Sequence, residues 1–157
     1  MGLMDERYKE IKDILEQNGL LQNDMLAVGY PMDPVTFFSL LKDATVFTLG
    51  TAIVAAATVL PDILNLLNFF MMNGEDKGTV AFLLVNGEFV LITFKGGSMV
   101  KDAAIRVNRK DVKDVFYREP KHDTELVFVY NDGKEVEYRI FEPSEAVKKM
   151  VTKFYNP

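Results

Sequence analysis

The segment TVAFLLVNGEFVLITF (residues 79–94) sets two apolar runs around Asn86-Gly87. Asn and Gly tolerate the two positive-φ positions of a two-residue turn, so this stretch predicts a tight antiparallel hairpin. The same grammar recurs in ELVFVYNDGKEVEYRIF (125–141), which turns at Asp132-Gly133. There Val136, Tyr138 and Ile140 alternate with Glu135, Glu137 and Arg139, a period of two that buries one face and wets the other. AAIRV (103–107), following the glycine loop KGGSMVKD, and VKDVFYR (112–118) supply two more strands, and DMLAVGY (24–30) an earlier one. Seven strands are expected. Every link after residue 79 is short, which favours antiparallel meanders over βαβ crossovers.

Helices are expected at both ends. Tyr8, Ile11 and Leu15 recur at helical spacing with Ile14 beside them, which predicts a helix over 4–18 with Asp5 near its start and Gly19 past its end. Val147, Met150, Val151 and Phe154 fall at i, i+3, i+4 and i+7, which predicts a closing helix over 144–155. Asp33 before Pro34 is a good cap and first-turn pair, so another helical region is expected from residue 34. It continues to residue 72, broken at Pro61-Asp62 into a helical hairpin inserted between strands one and two. The expected class is α+β, mainly β: a seven-stranded antiparallel barrel or sandwich in one domain spanning 1–157, with the insertion at 34–72.

TVAFLLVNGEFVLITF, AAIRVNRKDVKDVFYR and TELVFVYNDGKEVEYRIF together resemble the bacterial PH-like domains. Ile105, Asp111, Val112 and Val115 stand where that family's middle pattern would put them, and Asp132-Gly133-Lys134 where its last turn would be. The resemblance covers residues 79–155 and extends to 20–30. It implies a pleckstrin-homology-like barrel, and a binding or assembly module of a kind that often forms homo-oligomers. Eukaryotic phosphoinositide-binding members carry clustered Lys and Arg in the loop after the first strand. Here that position holds residues 31–78, whose only basic residues are Lys42 and Lys77. The inositol-phosphate site is therefore not carried over.

Residues 44–72 hold one charge, Asp62, in twenty-nine positions. As a helix, 44–60 would span roughly 26 Å against a bilayer core of about 30 Å, yet five alanines, four threonines and a glycine dilute its hydropathy. Ala44, Thr48, Ala52 and Ala56 repeat at i+4 as a small-residue ridge that would let a second helix approach closely. With Phe69 and Met72 they form the expected self-association interface. Insertion of residues 44–72 into lipid is the alternative, and a groove for a protein partner is a third reading.

Net charge is −5, with a balance of −7 over 1–94 and +4 over 95–121. An acidic chain with one mildly basic segment excludes general nucleic-acid binding, which needs many phosphate contacts. Lys101, Arg106, Arg109, Lys110 and Lys113 could meet an anionic surface such as lipid headgroups, but four acids lie in the same 95–121 segment and a solvated sheet face is the plainer reading. There is no cysteine, which suits a reducing cytoplasm, and MGLMDERYKE lacks the apolar run of a secretory signal. His122, in EPKHDTE, has few convergent partners for a metal or acid–base site. KGGSMV lacks the strand–GxxxxGK[ST]–helix setting of a phosphate loop. No catalytic residue, metal or cofactor is assigned. The sequence thus points to a cytoplasmic, non-enzymatic binding or scaffolding module, with the cytoplasmic face of a membrane as the alternative location.

Overall fold

The computed structural model describes residues 3–21, 25–42, 47–49, 52–54, 78–95, 98–121, 123–141 and 144–157. In chain order these form α1 (Leu3–Gln17), β1 (Leu26–Pro31), α2 (Pro34–Lys42), β2 (Phe47–Leu49), β3 (Ala52–Val54), β4 (Thr79–Val85), β5 (Glu88–Lys95), β6 (Ser98–Val107), β7 (Val112–Arg118), β8 (Thr124–Tyr130), β9 (Glu135–Ile140) and α3 (Ser144–Tyr155).

Seven strands make one antiparallel sheet in the order β6-β5-β4-β1-β9-β8-β7. Two meanders, β4–β6 and β7–β9, are joined through β1, which runs antiparallel to both β4 and β9. The first hairpin turns as its sequence predicts: Asn86 and Gly87 both take positive φ, 52° and 81°, and Val85 pairs with Glu88 across them. β1 approaches β9 through Gly29, where a Cβ atom would lie 2.2 Å from the Arg139 carbonyl oxygen. No other residue type fits that crossing without moving backbone.

The sheet buries both faces of its β1–β4–β5–β6 half. On one face, residues from all seven strands share a core that includes Ala27, Phe82, Phe89, Val107, Val115, Phe128 and Tyr138. The edge strands β6 and β7 contribute to this same cluster, so the sheet is strongly curved around it. Phe37 of α2 enters the cluster, and α3 adds Ala146, Val147, Met150, Val151 and Phe154. Its aromatic rings pack edge to face, as in Phe82–Tyr138 at 4.9 Å and Phe89–Phe128 at 5.2 Å between centroids. On the opposite face, α1 presses Ile11 and Leu15 onto Leu26, Val28, Leu83 and Val90.

Two expectations are corrected. Among the described residues, the helix foreseen over 34–72 is found at 34–42 alone, where Asp33 Oδ1 accepts the N–H groups of Val35 and Thr36. Residues 47–49 and 52–54 instead pair as a short antiparallel β2–β3 ladder, with Leu49 opposite Ala52. The aromatic and β-branched content of Phe47, Thr48, Ile53 and Val54 favours strand, and a two-residue link containing Gly50 suits a tight return. The second helix expected from Pro61-Asp62 lies outside the described residues. The glycine loop expected over 95–102 is also shorter than foreseen: β6 begins at Ser98, and a register shift between Ile92 and Phe94 lets β5 and β6 stay paired past it.

Candidate functional site

The outer face of β7, β8 and β9 carries the most organised charge among the described residues. Register places Arg118, Glu125, Arg139 and Tyr30 in one row across β7, β8, β9 and β1. Glu125 is 4 % exposed, and its two carboxylate oxygens each accept from a different guanidinium: Arg118 Nε at 2.7 Å and an Arg139 NH2 nitrogen at 3.2 Å. The same arginines reach outward to Glu137 at 3.0 Å and Asp123 at 2.8 Å. The result is an alternating Glu137–Arg118–Glu125–Arg139–Asp123 chain. The hydrogen bond to Glu125 raises the Arg118 pKa, against a smaller opposing effect of burial.

A second cluster fastens α3 to the edge strand β7. The Tyr155 hydroxyl accepts from Val115 N–H at 2.7 Å and donates to Asp114 Oδ1 at 2.6 Å. The Arg109 guanidinium sits 4.1 Å from the Tyr155 ring centroid. Burial and the Asp114 carboxylate raise the Tyr155 pKa, opposed by the Val115 N–H and the Arg109 charge. Two turns earlier on the helix, Lys148 bonds Glu119 at 2.9 Å and faces the Tyr117 ring.

Inside the sheet, Tyr138 is fully buried, and neither its hydroxyl nor that of Tyr130 has a hydrogen-bond partner. Burial drives both phenols well above their ordinary pKa. A depression of about 70 Å³ lined by Leu20, Leu21, Met25 and Leu83 has room for a water or two and not for an organic cofactor.

The sequence-derived candidates distribute as follows. Of the interface residues, Thr48 and Ala52 lie on β2 and β3, so the i+4 spacing that joined them as a helical ridge does not operate there. Ala44, Ala56, Phe69 and Met72 lie outside the described residues, as does His122. In the basic group, Arg106 pairs with Glu88 at 3.3 Å, whereas Arg109 stacks on α3. Lys110 and Lys113 are exposed at the β6–β7 connection and the start of β7, and Lys101 lies on β6. The arginines are thus committed to different neighbours. Sequence reasoning missed Glu125 and Tyr155. Arg118 and Arg139 on flanking strands hinted at the first, but nothing local marked the second.

Among the described residues, no group of three His, Asp or Glu side chains is placed to hold a metal ion, and no helix is long and apolar enough to cross a membrane. The fold and site define a mainly antiparallel, seven-stranded protein with helices at both ends. No protein-family model and no curated protein matches the sequence. Among solved structures the chain is similar to the pleckstrin homology (PH) domain of USP37, at a TM-score of 0.39 and 10 % identity, over 83 % of this chain and 93 % of that one.

Proposed function

We propose that the protein is a non-enzymatic binding and scaffolding module of the PH-like kind, and that it self-associates through the apolar segment 44–72. One observation carries this reading: the sheet already has a helix of its own on each side, α3 at the inner core and α1 at the outer cluster. Of the segment 44–72, β3 meets β6, and the remaining apolar residues are not needed to cover either cluster; an apolar stretch of that length calls for a partner. A second copy is the partner always at hand.

The resemblance of residues 79–155 to bacterial PH-like domains points to the same class.

The test is light scattering on the purified chain without detergent. The proposal expects a mass that is a multiple of 17.8 kDa; a clean monomer at high concentration refutes the assembly. Flotation with anionic phospholipid vesicles separates the competing reading, because a scaffold stays in the soluble fraction and an inserted segment floats with lipid.

A further inference from the structure

β6 and β7 are the two edges of the seven-stranded sheet. The β6 flank is met by β3 and α2, and the β7 flank by α3. An edge strand offers unpaired N–H and C=O groups to any second strand, and proteins block such edges. On β7 the blocks are a register shift between Val112 and Asp114, the Lys148–Glu119 bond from α3, and one hydroxyl that takes a strand amide. Val115 turns its N–H away from β8 and gives it to the Tyr155 hydroxyl; by antiparallel alternation Tyr117 faces the same way.

We propose that β7 is a self-pairing edge, closed by Tyr155, that joins β7 of a second copy antiparallel about a two-fold axis through Phe116. The second copy is argued from charge. A two-fold at Phe116 sets Val115 opposite the other chain's Tyr117, Asp114 opposite its Arg118 and Lys113 opposite its Glu119. Both charged pairs are of opposite sign, and the symmetry makes each of them twice. The neighbouring registers that keep the same amides facing outward lack this match. A two-fold at Val115 puts Lys113 opposite Tyr117, and one at Tyr117 puts Lys113 opposite Lys121. Lys113, Asp114, Tyr117, Arg118 and Glu119 are all exposed.

Tyr155 occupies both groups the second strand would need at its start, the Val115 amide and the Asp114 carboxylate. It is therefore an autoinhibitory clasp rather than only a fastener of α3. This edge is separate from residues 44–72, so either association can fail without the other.

The experiment compares wild type with Tyr155→Phe by sedimentation velocity over a wide concentration range, together with amide hydrogen exchange. The variant is expected to double the mass of the wild-type species, whatever that mass is. Its Val115 and Tyr117 amides gain protection as concentration rises. Lys113→Glu in the same background abolishes the doubling by facing Glu119, and adding Glu119→Lys restores it. Arg109→Ala, which frees the Tyr155 ring and leaves β7 unchanged, shifts the mass in the same direction and serves if Tyr155→Phe folds poorly. An unchanged mass in both variants, with Val115 exchange simply faster, overturns the proposal. So does a doubling that ignores Lys113→Glu.

Discussion

Gly29→Ala tests the joint on which the whole sheet depends. β1 is the strand that links the two meanders, and it holds β9 through three residue pairs: Gly29–Ile140, Tyr30–Arg139 and Pro31–Tyr138. A methyl group at residue 29 would lie 2.2 Å from the Arg139 carbonyl oxygen and 2.9 Å from Ile140 Cδ1. The isoleucine can rotate; the carbonyl is main chain and cannot. Restoring an ordinary contact of 3.4 Å at that oxygen moves the strands apart by about 1.2 Å. A ladder bond near 2.9 Å would then exceed hydrogen-bonding range. Pairs beside Gly29 sit among buried residues, so a separated amide or carbonyl loses its partner without gaining water. At about 1–3 kcal/mol per stranded group, two such groups cost about 2–6 kcal/mol.

That loss is a large part of the 5–15 kcal/mol typical of a domain, and it lowers Tm by roughly 4–24 °C at about 2–4 °C per kcal/mol for a chain of this size. Urea unfolding followed by far-UV circular dichroism measures it. Gly87→Ala is the control: its left-handed φ of 81° makes alanine strained, but the nearest atom to the new Cβ is 3.9 Å away. Its expected cost is about 1–2 kcal/mol. If Gly29→Ala loses less than Gly87→Ala, close approach is not what fixes glycine at this crossing.

Three further outcomes follow from other sites. Tyr138→Phe removes a fully buried hydroxyl that has no partner, so stability stays level or rises by about 1–2 kcal/mol; a clear loss in thermal unfolding would show that the hydroxyl is bonded. Glu125→Gln leaves two arginines facing an amide and costs about 1–2 kcal/mol in urea unfolding, below the 3–5 kcal/mol of a fully buried pair because Arg118 and Arg139 keep 44 % and 30 % of their side-chain exposure. A cost indistinguishable from zero would make the row ornamental. Asp33→Ala removes the α2 cap and costs about 1 kcal/mol near pH 7. Hydrogen bonding from the Thr36 side chain lowers the Asp33 pKa most; burial opposes it as the next effect, and the Thr36 and Val35 amides add smaller lowering. Its stabilisation is thus present above the ordinary carboxylate range and lost as pH falls through the lowered value. The wild-type advantage in thermal unfolding should disappear at low pH, and a gap that persists there refutes the cap.

The strands were legible because their determinants are local. Asn86-Gly87 specifies a two-residue turn, Asn131-Asp132-Gly133 close a longer one in which Gly133 takes positive φ and the Tyr130 N–H bonds the Lys134 carbonyl, and the 135–140 alternation specifies a face. β7 and α3 accordingly fall where the pattern puts them, at 112–118 and 144–155. The misreading at 47–54 has the opposite cause. Ala and Leu run through that segment at a spacing that suits helix, while Phe47, Thr48, Ile53 and Val54 suit strand. Pattern alone leaves the two in balance, and what decides is tertiary: β3 lies beside β6.

The candidate sites were less legible than the fold because each is made by residues distant in sequence and close in space. Glu125 reads as one acid in an apolar strand; it becomes a buried carboxylate only when Arg118 and Arg139 arrive from the neighbouring strands. Tyr155 reads as the frayed end of a helix, and its partners Asp114 and Val115 are forty or more residues away. Its hydroxyl stands in for a strand the sheet does not have, and a sequence pattern cannot report a missing neighbour. The charges on β7 are different in kind. Lys113, Asp114, Arg118 and Glu119 are adjacent in the chain, and their order becomes self-complementary once a two-fold axis is placed among them. In the proposed dimer, sequence order supplies the partner's chemistry, and the hydrogen bond from Val115 to Tyr155 marks the edge concerned.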